Sequence, residues 1–314
     1  MAHHHHDPAV VSRKLLIATI ATAVFVVIEL IAGIAANSLS LVGDALHNFT
    51  DTLALLLALV AVRIERRPAN AAKTYGYHRA GVLAAFINSG MLAAFTIYLF
   101  YEAVHRLRVP HAVDSRAMLV VAAAAFVLNA AITWWLHDEG RDDLNVRSAV
   151  LHMLGDAASS VGIVVAALLI ARTGSPFWDP AVSILIGILI LWSSFGVLRE
   201  AVNLLLEGTP PGIDPDEVTR AIAAVDGILG VHHLHVWALG PSRRALSAHL
   251  IVGDVPLKTT GQLLGRVNAL LEHEYAIEHT TIQFELADCP EDDPFCQGAG
   301  GRAQGAEETT HAQV

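Results

Sequence analysis

The amino-acid sequence predicts an α-helical membrane protein: six transmembrane helices followed by a C-terminal cytosolic α-β-β-α-β domain of the ferredoxin-like type. Composition is the first indication, since 54% of the 314 residues are hydrophobic and only 16% are charged, a balance typical of membrane proteins. Length is the second. Six apolar runs, at about residues 14–36, 40–62, 82–104, 116–137, 145–171 and 178–206, can each cross roughly 30 Å of hydrocarbon at about 1.5 Å per residue. The third is a change of period after the sixth run, where mostly polar segments alternate between helical and strand patterns.

The first run follows Arg13 and Lys14 and ends near the small residues Ala35 and Ala36, which imitates a signal peptide. Its apolar length of about twenty residues exceeds that of a signal core, and Glu29 sits within it, so a retained helix is expected. After the second run, RIERRPANAAKTYGYHRAG carries most of the basic bias, and Pro68 with the Gly76 turn breaks the helix. One face of the bilayer collects Arg13, Lys14, Arg63, Arg66, Arg67, Lys73, Arg79, Arg141, Arg147 and Arg199; the other has only Arg106, Arg108, Arg116 and Arg172. Basic residues gather on the cytoplasmic side. Both termini are therefore expected in the cytosol, because six crossings return the chain to its starting side.

Glu102 and Asp179 fall close enough to the ends of their runs that solvation is expected, and Asn88 and Asn129 read as bridges between helices. Glu29, inside the first run, is left open between a structural and a functional reading. The prolines of GTPPGIDP end the sixth helix. Beyond that linker, DPDEVTRAIAAV reads as a helix, GVHHLHVWALG and ALSAHLIVG as paired strands, TTGQLLGRVNALLEHEYAI as a helix and HTTIQFELA as a strand. The expected domains are a histidine-containing tail over 1–12, the membrane domain over 13–207, the cytosolic domain over 208–288 and a disordered tail over 289–314. The opening MAHHHHDP reads equally as a natural tail or an added tag.

The formal charge of −10 comes mostly from the C-terminal part, which gives nucleic-acid binding no support. No P-loop pattern occurs, so nucleotide drive is not indicated. Cys289 and Cys296, spaced C-x6-C, are too few for a disulfide framework and read either as free thiols or as metal ligands.

The chemistry is concentrated in two copies of H-x-x-x-D inside apolar runs: His47 and Asp51 in the second, His152 and Asp156 in the fifth. Ionisable side chains at mid-membrane cost roughly 2.5 kcal/mol or more each, so matched pairs need a compensating partner. Residues four apart share one helix face, with Cβ atoms about 5–6 Å apart. Each pair can thus offer a nitrogen and an oxygen, and two facing helices complete a tetrahedral set suited to zinc. Asp44, one turn before His47, is a candidate to orient a ligand imidazole or to lie on the metal's path.

The segments SLSLVGDALHNFTD, TYGYHRAGVLAAFIN, LHMLGDAASS, WDPAVSILIG, VHHLHVWAL, SAHL and TIQFE together resemble the cation diffusion facilitator family, in its zinc-transporting branch, from about residue 12 to residue 286. The resemblance implies homodimers that exchange a divalent metal for protons and export it from the cytosol, with His47, Asp51, His152 and Asp156 as the transport site. Zinc, and sometimes cadmium, is the cargo that this donor set implies. It also implies a metallochaperone-like cytosolic domain binding regulatory zinc through His232, His249 and Glu285, with Cys289, Cys296 and His235 as additional candidates. The short loop HDEGRDDLN and the lone His78 of the first connector predict neither a histidine-rich loop nor a metal site there. For a bacterial cell the resemblance implies the inner membrane.

Strand alternation predicts that His233 and His235 share one face while His232 takes the other, and Trp237 reads as core or dimer packing. Two other classes compete with transport. A membrane metalloenzyme is disfavoured, because no H-E-x-x-H occurs and four protein ligands leave no position for a substrate water. The other is a zinc sensor that binds the ion at the same four residues without moving it, which flux measurements distinguish from a transporter.

Overall fold

The computed structural model describes residues 8–136, 144–240 and 243–286. Cys289, Cys296 and the expected tail over 289–314 lie outside the described residues, as do residues 1–7, whereas residues 8–12 of the expected N-terminal tail belong to the first helix. Among the described residues six helices are long and apolar enough to cross a membrane: α1 (Pro8–Ala35), α2 (Leu39–Glu65), α3 (Ala80–Arg108), α4 (Ser115–Leu136), α5 (Leu144–Thr173) and α6 (Trp178–Leu205). The chain divides into two compact units, one of residues 1–60 and 84–198, the other of residues 61–83 and 199–314.

In the first unit the outward surfaces are apolar. Trp134 and Trp192 are both 84% exposed, along with Leu55, Ile97 and Leu189, as expected where lipid replaces water as the solvent. Inside, Leu41, Leu92, Met118, Ile163, Ile186 and Ile190 join α2 to α6 in one cluster. Small residues allow close approach between helices: a Cβ on Gly33 of α1 would stand 3.0 Å from the Leu41 Cβ of α2. Ala122, Ala166 and Ala167 do the same between α4 and α5.

Side chains cap the starts of α4 and α2. At α4, Asp114 Oδ1 accepts from Arg116 N at 3.0 Å and Ala117 N at 3.1 Å. At α2 the cap comes from another helix. Asp179 in the first turn of α6 accepts from Leu39 N at 2.6 Å and Ser40 N at 3.0 Å, and from the hydroxyls of Ser38 at 2.8 Å and Ser40 at 2.6 Å. The expectation that Asp179 is solvated is therefore corrected, since its side chain is fully buried. Orphan amides at a buried helix N-terminus require an acceptor, and a carboxylate is the strongest available. Asn37, at φ 53°, makes the tight turn from α1 into that cap.

The second unit contains α7 (Pro215–Ala223), β1 (Ile228–Gly240), β2 (Arg243–Val252), α8 (Leu257–Tyr275) and β3 (Ile277–Glu285), the expected α-β-β-α-β order. The sheet runs β1-β2-β3, with β2 antiparallel to β1 and parallel to β3. A parallel pair needs a crossover, and α8 supplies it. Leu234, Val236, Leu246 and Leu250 from the sheet meet Val218 and Ile222 of α7 and Val267 and Leu271 of α8 in one core. Asp214 caps α7 by accepting from Asp216 N at 3.0 Å, and Ala276, left-handed at φ 52°, ends α8.

The sheet departs from simple alternation at one point. His232 pairs with His249 and His235 with Ser247, so β1 spends one residue more than β2 between them. His233 sits at this bulge with φ 51°. The bulge brings His233 to the side of His232: its ring centroid is 5.2 Å from that of His232 and 4.8 Å from that of His249, stacked at 9°. Period-two reasoning had separated these two residues, and the extra residue defeats it.

Candidate metal centres

The four intramembrane residues come from the early turns of α2 and α5. Hydroxyls nearby are occupied with their own helix: Thr50 Oγ1 donates to His47 O at 2.7 Å and Ser160 Oγ to Asp156 O at 2.9 Å. This leaves the imidazoles and carboxylates facing one another. His47 Nε2 lies 3.6 Å from Asp51 Oδ2 and 3.9 Å from Asp156 Oδ1, while His152 Nε2 lies 3.2 Å from Asp51 Oδ2 and 3.6 Å from Asp156 Oδ2. Each histidine therefore approaches one carboxylate on its own helix and one on the other.

Those spacings have a chemical meaning. A tetrahedral zinc ion with ligands at about 2.0–2.2 Å has ligand-to-ligand edges of roughly 3.3–3.6 Å. The four approaches are thus close to the required edge length, with Asp156 presenting a different oxygen to each imidazole. The set is still looser than a closed coordination sphere, since its longest approach, His47 Nε2 to Asp156 Oδ1, is 3.9 Å. The imidazole ring centroids stand 6.1 Å apart, so taking up an ion needs the two rings to draw in. Asp156 is buried with only 4% of its side chain exposed, whereas His152 is 41% exposed, so one side of the set is open.

Asp44 is fully buried, and its Oδ1 accepts from Ser159 Oγ across the helix pair at 2.7 Å. It therefore braces α2 against α5 one turn from Asp156. Among the described residues no hydrogen bond to a ligand imidazole is made by Asp44; His47 Nδ1 is buried without a partner. Glu29 is the residue that sequence reasoning left without a role. It is fully buried on α1, and its carboxyl lies beside that of Asp44. The available signal was a lone acid inside an apolar run.

In the sheet domain, His232, His249 and Glu285 converge from three strands, and their ligand atoms all lie within 4.8 Å of one another. Glu285 bridges the two rings, with Oε2 at 3.0 Å from His232 Nε2 and Oε1 at 3.0 Å from His249 Nδ1. The ladder explains the convergence, since His232 is opposite His249 on the antiparallel side and Ile251 is opposite Glu285 on the parallel side. Two nitrogens and one carboxylate are donors that zinc accepts, and the half-buried trio fits a metal ion. His235 is exposed opposite Ser247 and does not join it, whereas the bulged His233 packs against it.

Comparison with known proteins places these features in a wider set. The family described as "Cation efflux transmembrane domain" matches residues 15–206, and that described as "Cation efflux protein, cytoplasmic domain" matches residues 210–287. The metal cation efflux system protein CzcD of Cupriavidus metallidurans is 37% identical over 291 residues, covering 93% of this chain and 92% of that protein. Zinc transporter ZitB of Escherichia coli is 40% identical over 280 residues, 88% of each chain. The cadmium, cobalt and zinc/H(+)-K(+) antiporter of Bacillus subtilis is 36% identical over 285 residues, 90% of this chain and 91% of that one. Among solved structures, the metal-bound C-terminal domain of CzcD is 32% identical, with a TM-score of 0.22, covering 24% of this chain and all of that one.

Proposed function

The chain belongs to the cation efflux, or cation diffusion facilitator, family of integral membrane metal transporters, and on that premise we propose that it exports Zn2+ from the cytosol in exchange for protons through His47, Asp51, His152 and Asp156. The observation that carries this reading is the ring of four imidazole-to-carboxylate approaches between 3.2 and 3.9 Å across α2 and α5. Cadmium is a secondary cargo on the same donors. The names of the zinc transporter ZitB and of the Bacillus subtilis antiporter support both the cargo and the coupling.

The exchange follows from ligand chemistry. An imidazole binds metal through a neutral nitrogen, and a carboxylate binds when ionised, so zinc and protons compete for the same atoms. Zinc arriving from the cytosol displaces protons from the site. When the site opens to a more acidic exterior, protonation of the same groups releases the zinc, and the inward proton gradient drives outward metal flux. In a bacterial cell the protein would work in the inner membrane with both termini in the cytosol, a reading that the distribution of arginines and lysines supports. The cytosolic module pairs two chains as a homodimer. There, His232, His249 and Glu285 would hold a regulatory zinc ion, which supplies a link between three strands and leaves a fourth position for a donor outside the trio.

Flux into proteoliposomes made with the purified protein tests the reading. Zinc transport is expected to run several-fold faster with an opposing proton gradient than without one. Equal rates would refute proton exchange, and zinc binding without any flux would leave a sensor.

Metal preference gives a second test, because imidazole suits zinc while an all-oxygen site suits harder ions such as manganese. His47→Asp is expected to reduce the preference for zinc over manganese by about tenfold or more in competition flux, comparable to the loss of one ligand contact. An unchanged preference would remove His47 from the coordinating set.

His249→Ala is expected to lower the zinc stoichiometry of the full-length protein and to raise the zinc concentration for half-maximal flux, while keeping substantial flux at saturation. A metal outside the membrane can only favour the arrangement it fits better, by its differential affinity. Equilibrium dialysis alongside flux measures both, and complete loss of transport at high zinc in a folded variant would overturn the division of labour.

A further inference from the structure

The transport chemistry makes no use of the connector segment TYGYHRAG. Within the second unit this connector docks on the sheet. Arg79 Nη2 donates to Glu207 Oε1 at 3.1 Å and to Ala238 O at 3.4 Å. Gly240 lies so near that a Cβ there would be 2.8 Å from the His78 carbonyl oxygen.

Between connector and sheet is a cleft of about 490 Å³, with Arg67, Tyr75 and His78 on one wall and Arg243, Arg244 and His279 on the other. Glu278 is the single carboxylate in the lining, against three guanidinium groups. Among the described residues none of these three arginines forms an ion pair with a carboxylate. Two of them are held in place by other groups instead. Arg243 Nη1 donates to His78 Nε2 at 3.3 Å, and Arg244 Nη1 donates to Tyr275 O at 2.6 Å. Tyr75 and His279 meet edge to face, with centroids 5.3 Å apart, and tie the two walls together.

A guanidinium has five N–H donors, so each anchored arginine keeps further donors for an incoming group. Concave walls bearing planar, permanently charged forks match the oxygens of a phosphate. We propose that this cleft binds a phosphate-bearing anion. The connector leaves α2 after Glu65 and enters α3 at Ala80, so the wall it supplies is joined at both ends to membrane-spanning helices. On the orientation proposed above those helix ends are cytoplasmic, the side on which basic pockets take anionic lipid headgroups. The same donors would accept soluble phosphate, and experiment separates the two sources.

Full-length protein and the variants Arg67→Gln and Arg243→Gln would be purified in neutral detergent. Retention of phosphatidylglycerol, measured by native mass spectrometry against phosphatidylcholine, forms one arm. Calorimetric titration with inorganic phosphate forms the other. At least one probe is expected to bind, more weakly as salt rises. Each variant is expected to lose about tenfold or more in affinity through loss of a charge-assisted fork, with zinc flux in phosphatidylcholine vesicles unchanged, which shows the variants to be folded. Lipid retention without phosphate binding identifies a headgroup; binding of inorganic phosphate identifies a soluble anion. Absence of binding by both probes, or binding by folded variants equal to that of the parent, would overturn the proposal.

Discussion

Replacing Asp156 by alanine is expected to abolish zinc flux, with a loss of about 100-fold or more, while leaving a folded protein. Removal of groups that merely orient a metal ligand costs about 10–100-fold, and Asp156 belongs to the proposed coordinating set itself. Its oxygens stand 3.9 and 3.6 Å from the two imidazoles, so its removal takes away two of the four measured edges. The α2–α5 pair keeps the Ser159 bond to Asp44, and α5 is held separately by its packing against α4, so folding should survive. Asp51→Ala removes the other two edges and is expected to behave alike. Transport assays on reconstituted variants, checked for monodispersity, decide the matter: wild-type zinc uptake by either one would exclude that residue from the site.

A comparable loss, but of stability, is expected for Asp179→Ala. This carboxylate accepts four hydrogen bonds while fully buried, two of them from the backbone amides of Leu39 and Ser40. Alanine would strand those amides. An unsatisfied buried donor costs about 1–3 kcal/mol, so two stranded amides give a loss of about 3–5 kcal/mol. Asp179→Asn keeps one acceptor oxygen and should recover part of it. Zinc flux should fall with stability, since the start of α2 sets the position of His47 two turns further on. Thermal unfolding in detergent measures the effect, and a melting temperature equal to that of the parent would show that the cap contributes nothing.

Much of this was legible in the chain alone, for reasons of length and period. A helix in lipid must satisfy its own backbone and present apolar side chains outward, so all six spans could be read locally. The i, i+4 spacing of His47 with Asp51 and of His152 with Asp156 likewise required no fold, because helical geometry puts each pair on one face. The alternating strands and periodic helices of the sheet domain were local signals too. So was the acid at position 29, although nothing nearby in sequence could say what it faced.

The sequence by itself therefore determined the element order, the six spans, the donor types and the basic connector. Tertiary structure decided which residues meet. Asp179 was misjudged because a buried cap and a solvated acid look alike at the end of an apolar run, and the amides it serves are some 140 positions away. His233 was misjudged because one inserted residue reverses every inference from period two, and a bulge is visible only in the pairing with β2. The cleft between the connector and the sheet brings Arg67 to Arg243 and Arg244 across more than half the chain. Spacing along one helix or strand is dictated by local geometry, whereas partnership between elements depends on how their surfaces pack, and that is a property of the whole fold.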